Sequence, residues 1–194
     1  MIKAVIFDCF GVLTTEGWLP FKEQQFGRDK ALSEQASELN RQSNAGLISH
    51  EQFVGKIAEL ANLSVSEVNE AIEVNVTNQK LFTYITERLR PDYKIGMLSN
   101  AAANWLKNFF TDEQLQLFDA ISLSYESGIT KPDPLSYEKI AGELGVEPGE
   151  CVFIDDQERH CTGAKEAGMQ AILYESFEQM KAELEKILAA NSES

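Results

Sequence analysis

Lys3-Ala4-Val5-Ile6-Phe7-Asp8-Cys9-Phe10-Gly11 is a short apolar run that stops at a carboxylate and passes at once into a glycine turn. A run of this length without polar alternation reads as a strand buried on both faces, the kind that parallel sheets contain. Lys94 to Leu98, which leads into Ser99-Asn100, and Cys151 to Ile154, which leads into Asp155-Asp156, have the same form. A fourth stretch, Gly128-Ile129-Thr130-Lys131-Pro132-Asp133-Pro134, holds a lysine between a glycine turn and a proline. In an open α/β sheet the ligand lies beyond the carboxyl ends of the strands, where these polar groups would gather. Three carboxylates, a hydroxyl and an amine meeting there predict a metal-assisted phosphate site.

Outward from these stretches, the chain divides by pattern. After Gly11 and Gly17 a polar, helix-rich region runs to about Gln79 and reads as an insertion. Lys22 to Phe26 and Lys30 to Asn40 carry helix formers, Ser49 is an N-cap before Phe53 and Ile57, and Ser64 caps Val65 to Val74. Gly46 separates the second of these helices from the third. From Phe82 onward helices and strands alternate: a helix through Arg88, strand Lys94 to Leu98, helix Asn104 to Phe110, and strand Ala120 to Leu123. Helix Leu135 to Leu144, strand Cys151 to Ile154, helix Gly163 to Ala167, strand Ala171 to Leu173 and helix Phe177 to Leu188 complete the α/β alternation.

The chain has 194 residues, 43% of them hydrophobic, enough for one well-buried core with a small accessory unit. Its 17 basic and 31 acidic residues give a formal net charge of -14. That balance argues against duplex nucleic acid or an anionic membrane surface as the main partner. A phosphate substrate then requires local compensation by a cation and a lysine. No segment has the length and apolarity of a membrane span or of a secretory signal, so a cytoplasmic protein is expected. Cys9, Cys151 and Cys161 show no CxxC spacing, which favours buried thiols over disulfides or zinc.

Each candidate residue has a chemical reason. Asp8 is the candidate nucleophile: a carboxylate attacking phosphorus forms an acyl phosphate and divides one hard hydrolysis into two easier steps. Mg²⁺ offsets the repulsion between that carboxylate and the phosphate, and Asp8 with Asp155 and Asp156 supplies suitable oxygen ligands. Ser99 and Asn100 are placed to hydrogen-bond phosphoryl oxygens through a hydroxyl and a backbone N–H. Lys131, its backbone restrained by Pro132, is the counter-charge to nucleophile and phosphate.

In this order and at these spacings the four stretches resemble the haloacid dehalogenase-like hydrolase superfamily, in the subgroup with a helical cap, and sugar-1-phosphate phosphatase-like members in particular. Ile6-Phe7-Asp8-Cys9-Phe10-Gly11-Val12-Leu13-Thr14 matches its first motif, Ser99 the second, Lys131 in Lys-Pro-Asp-Pro the third and Asp155-Asp156 the fourth. The resemblance implies a Rossmann-like three-layer core with a parallel sheet, formed by residues 1–14 and 80–190, and a helical cap over residues 15–79. It also implies Mg²⁺ held by Asp8, the carbonyl of Phe10 and the fourth-motif acids, and a small phosphorylated metabolite as substrate.

One position departs from that pattern. Family phosphatases carry a second Asp two residues after the nucleophile as general acid, and this chain has Phe10 there. Loss of a general acid costs about 10²- to 10⁴-fold, least where the leaving group needs little protonation. The expected substrates are therefore anomeric sugar phosphates, acyl phosphates or phenyl phosphates. Family dehalogenases carry an aromatic residue at this position and a Ser-Asn second motif, which makes metal-free 2-haloacid dehalogenation the main alternative. The intact Asp155-Asp156 pair argues against it, because without a cation it adds negative charge beside Asp8. A binding protein that has lost efficient turnover is the third reading.

Secondary candidates are weaker. Arg41, with Asn44 and Gly46 in a turn between cap helices, and Trp18 could face the substrate, although a surface charge and a packing residue are the simpler assignments. His160 could replace the missing acid, but a surface histidine at a helix start is favoured. His50 is expected in solvent. Glu158 and Arg159 either pair locally or orient the fourth-motif loop.

Overall fold

A computed structural model describes residues 1–73, 76–102 and 106–192 of the chain. Five strands, β1 (Ala4–Phe7), β2 (Lys94–Ser99), β3 (Ala120–Leu123), β4 (Cys151–Asp155) and β5 (Gln170–Leu173), form one sheet in the order β3-β2-β1-β4-β5. All four neighbouring pairs are parallel. The central strand β1 pairs with β2 on one side, Phe7 opposite Met97, and with β4 on the other, Phe7 opposite Ile154. The connections leave β1 toward opposite edges, so the groups that follow Phe7, Leu98 and Ile154 meet at the crevice where strand order reverses.

Alternation along the strands makes three layers. Val5, Phe7, Ile95, Met97, Val152 and Ile154 face a core completed by Leu81, Ile85, Met180 and Leu184. These last four come from α5 (Gln79–Tyr84), its π-helical continuation Ile85–Leu89, and the C-terminal helix α11 (Phe177–Ser192). Ala4, Ile6, Leu98, Cys151 and Phe153 face the other way, against Tyr137, Ile140, Leu144 and Ala164 of α9 (Pro134–Leu144) and α10 (Glu158–Glu166). Each fully buried Val, Ile or Phe contributes about 1.5–3 kcal/mol. Strand ends anchored by several such residues hold their side chains at fixed positions.

Between β1 and α5 four helices pack on one another: α1 (Trp18–Phe26), α2 (Lys30–Asn44), α3 (His50–Ala61) and α4 (Val65–Ile72). They enclose a separate apolar cluster of Phe21, Phe26, Ala36, Phe53, Ile57 and Val68. Ser49 and Ser64 each close a reciprocal capping box, with Gln52 and Glu67. The second helix runs on to Asn44, beyond the expected end at Asn40, so Arg41 and Asn44 are helical rather than in a turn; Gly46, at φ 70°, provides the break. Val74, the expected end of the fourth helix, lies outside the described residues, as do Asn104 and Trp105 of the helix expected over Asn104 to Phe110. The described part of that helix, α6, is Leu106–Phe109. Two short helices, α7 (Asp112–Leu115) and α8 (Ser124–Ser127), have no counterpart in the sequence reading.

The two passages between core and helical unit are tied side by side. Thr15 N donates to Val76 O (3.1 Å), Asn78 N to Leu13 O (2.9 Å), and the Asn78 amide to Val12 O (3.0 Å). A second seat lies at the far end of α2, where the Ser124 hydroxyl of α8 donates to Asn44 O. Among the described residues no helix is long and apolar enough to cross a membrane.

Candidate active site

Three carboxylates and one ammonium converge at the carboxyl end of the sheet. Lys131 Nζ lies 2.6 Å from Asp8 Oδ1 and 2.6 Å from Asp155 Oδ2, with its side chain only 1% exposed. Asp8 follows the last residue of β1, Asp155 is the last of β4, and Lys131 comes from the loop before α9. That loop is held by Asn100, whose carboxamide clasps the Lys131 main chain: Lys131 N donates to Oδ1 (2.8 Å) and Nδ2 donates to Lys131 O (3.0 Å). The Asn100 side chain is thus engaged with Lys131 rather than turned to a ligand. Ser99, the last residue of β2, is buried beside it, and its Oγ has no hydrogen-bond partner.

Asp155 is the most constrained of the acids. Besides Lys131, it accepts from Gln157 N (2.8 Å) and lies 3.0 and 3.1 Å from His160 Nδ1. His160 is therefore not the surface histidine expected from its place at a helix start; it is 2% exposed and packed behind the acid pair. The missed signal is the stripe His160, Cys161 and Ala164, which the turns of α10 place on its buried face. Burial pushes the His160 imidazole below its usual range, with Asp155 opposing, so the ring is neutral at pH 7 and Nδ1–H donates to Asp155.

The charges do not balance. Burial works to raise Asp155, but Lys131 and His160 outweigh it and hold its carboxyl at about 2. Burial works to lower Lys131, but Asp155 and Asp8 outweigh it and the ammonium is stabilised. Asp8 is pushed well above the carboxylate range by burial and by the charges of Asp155 and Asp156, against the pull of Lys131. Asp156 is raised to about 6, by burial first and then by Asp155 and Glu16. One ammonium does not neutralise three clustered acids.

A divalent cation fits this arrangement. Ligand oxygens of Asp8, Asp155 and Asp156 all lie within 4.8 Å of one another, and Asp156 Oδ1 is buried without a hydrogen-bond partner. Both Asp155 oxygens are engaged by Lys131, His160 and Gln157, which leaves Asp8 and Asp156 as the acids better disposed toward an ion. The turn after Asp8 closes through Gly11 N to Thr14 O (2.7 Å) and Leu13 N to Cys9 O (2.9 Å), and Gly11 takes φ 86° to do so. Phe10 sits in this turn with its ring 6.0 Å from that of Phe109, edge to face.

A cavity of about 160 Å³ joins this cluster to the helical unit. Asp8, Phe10, Ser99, Asn100 and Lys131 line its floor, and Trp18, Asn40, Ser43, Asn44, His50, Phe53 and Glu73 line the opposite wall. Trp18 packs on Phe53 within the helical unit, ring centroids 5.1 Å apart, rather than onto the core, and it lines the cavity. His50 is half-buried at the cavity, 3.9 Å from Glu73, rather than in solvent. Its position on the first turn of α3 turns the ring back onto Phe53. Arg41 is exposed and paired with Glu38 at 2.6 Å, away from the cavity. Arg159 lines the cavity and donates to the Gln157 side chain (3.1 Å). Cys9, Cys151 and Cys161 are free and buried.

The family profile of the haloacid dehalogenase-like hydrolases matches residues 2–168. The chain belongs to this family. As a haloacid dehalogenase-like hydrolase it is 27% identical to the Mycobacterium tuberculosis phosphatase MT3486, over 93% of this chain and 90% of that one. It is 26% identical to the D-ribitol-5-phosphate phosphatase of Bacteroides thetaiotaomicron, over 97% and 99% of the two chains. Among solved structures it is similar to the family enzyme bt-2542 of Bacteroides thetaiotaomicron, in complex with magnesium and inorganic phosphate. That match has a TM-score of 0.70 and 27% identity, covering 91% of this hydrolase and 96% of the other chain.

Proposed function

We propose that this hydrolase cleaves phosphate monoesters of small metabolites through an aspartyl-phosphate on Asp8, with Mg²⁺ as cofactor. The observation that carries the reading is the cluster itself. A buried strand-end carboxylate lies 2.6 Å from a buried lysine, beside the orphaned Asp156 oxygen and the unpartnered Ser99 hydroxyl. In the first step an Asp8 oxygen bonds to phosphorus as the ester P–O bond breaks; the Lys131 ammonium and the Ser99 hydroxyl donate to the phosphoryl oxygens. In the second, water attacks phosphorus, releases inorganic phosphate and restores the carboxylate. Asp8, Asp156 and the Phe10 carbonyl would hold Mg²⁺, which when bound would supply the charge neutralisation that lets one anion approach another. Asp155 keeps Lys131 aligned, and Asn100 fixes the loop that carries it.

Phe10 sets the leaving group. With no acid at this position the departing oxygen leaves as an anion, which favours anomeric sugar phosphates, acyl phosphates and phenyl phosphates. Residues 15–79 act as a cap whose closure excludes bulk water, and the enzyme works in the cytoplasm. Phe10 and Ser99-Asn100 also suit 2-haloacid dehalogenation, since halide needs no proton, but the excess of buried carboxylate over ammonium favours the metal-dependent reaction. The deciding experiment is a screen of sugar phosphates, phenyl phosphate and 2-haloacids, each with Mg²⁺ and with chelator. Phosphate release that chelator abolishes supports the proposal; halide release that survives chelator selects the dehalogenase; silence in every arm overturns both.

A further inference from the structure

The wall of the cavity facing the phosphate site carries an unusual polar balance. Ser43, near the end of α2, is 1% exposed, lines the cavity, and its Oγ has no hydrogen-bond partner. A buried hydroxyl left unpaired costs free energy that a ligand hydroxyl placed within reach would recover. Asn40 and Asn44, on the same helix, add carboxamides to this wall. Among the described residues the wall contributed by α1 to α4 and the residues flanking them carries no lysine or arginine, and its formal charges are the carboxylates Glu16 and Glu73. Opposite it Lys131 is already shared between Asp8 and Asp155, and the other cation at the cavity, Arg159, lies on the exposed rim. His50 brings no compensating charge: burial lowers its pKa, against the pull of Glu73, so the ring is neutral at pH 7.

We infer that the leaving group this site selects is uncharged and hydroxyl-bearing, a sugar or alditol read by Ser43, and that carboxylate-bearing or doubly phosphorylated esters are rejected by Glu16, Glu73 and the absence of a cation among the described residues of the α1–α4 wall. The inference rests on the phosphatase reading above and deepens it. A second anionic group would be desolvated on that wall without a partner, which is costly. It would also face the negative charge of Glu73.

The test compares pairs with the same leaving oxygen. Glucose 1-phosphate is set against glucuronic acid 1-phosphate, and glycerol 3-phosphate against 3-phosphoglycerate, with phenyl phosphate as reference and the full chain in Mg²⁺. The neutral member of each pair is expected to have at least about tenfold higher kcat/KM, the effect of one unpaired charge near a carboxylate. Glu73→Lys should narrow that ratio. Ser43→Ala should lower kcat/KM for glucose 1-phosphate relative to phenyl phosphate by about two- to tenfold, the effect of one hydrogen bond. Equal rates within the pairs, preference for the acid, or ratios unmoved in both variants would overturn the inference while phenyl phosphate hydrolysis leaves the phosphatase reading standing. No hydrolysis of phenyl phosphate or of any pair would overturn both.

Discussion

A Cβ on Gly11 would stand 2.3 Å from Asp156 Oδ2, so the turn after the nucleophile and the second acid of the fourth motif occupy each other's space. Gly11 also has φ 86°, where any other L residue is strained. Gly11→Ala is therefore expected to destabilise the fold by about 1–3 kcal/mol and to turn the Asp156 carboxylate away from Asp8. Urea denaturation measures the first effect, and titration with Mg²⁺ by calorimetry the second, as weaker binding. An alanine variant with unchanged stability and unchanged Mg²⁺ affinity would show that the close approach has no consequence.

Lys131 is the single ammonium between two buried acids. Lys131→Met keeps the bulk and removes the charge, leaving Asp8 and Asp155 to repel without compensation. Breaking a buried pair in this way costs about 3–5 kcal/mol. Denaturation curves should show that loss, and it should be smaller in Mg²⁺, which replaces part of the missing positive charge. Activity should be lost in either condition.

His50 gives the chain a pH-dependent difference that one substitution isolates. Burial holds its folded-state pKa below the ordinary histidine value, Glu73 opposing. The unfolded chain therefore binds the proton more readily, and the stability linked to His50 is present above the unfolded value and lost as pH falls through the folded one. Between about pH 7 and pH 5, the wild type should lose melting temperature relative to His50→Gln. Parallel curves for the two proteins across that range would contradict the assignment of His50 as a half-buried neutral group.

Phe10 offers a gain-of-function test. Its ring lies against Phe109 and lines the cavity, so an aspartate there would enter the space next to the departing oxygen. A general acid is worth about 10²- to 10⁴-fold. Phe10→Asp should therefore raise the rate on an alkyl phosphate relative to phenyl phosphate by at least about tenfold. An unchanged ratio would count against the leaving-group argument.

Much of this site is legible in the sequence for one reason. A parallel strand buried on both faces leaves an apolar run, and the residue that ends it is the one presented to a ligand. Asp8, Ser99 and Asp155 are found that way, and the strand boundaries fall within a residue of those read from the run lengths. Lys131 needs more, because nothing local shows that its loop is clasped by Asn100 across 31 positions of sequence. His160 is misread for a related reason. Its neighbours Glu158 and Arg159 are exposed, and only the turn of α10 against the sheet carries the imidazole inward to Asp155. The wall formed by Ser43, His50 and Glu73 is illegible in principle, because it exists only once the helical unit is seated over the sheet.

On this mechanism Asp8 attacks phosphorus with Mg²⁺ present. Its most direct test is acid-quench mass spectrometry of the enzyme mixed with phenyl phosphate, run beside phosphate release by wild type and Asp8→Asn. A phosphoryl group that requires Mg²⁺ is expected on the peptide bearing Asp8, with a rate in the folded Asn variant lower by at least about 10³-fold. Phosphate release by Asp8→Asn at the wild-type rate would contradict it.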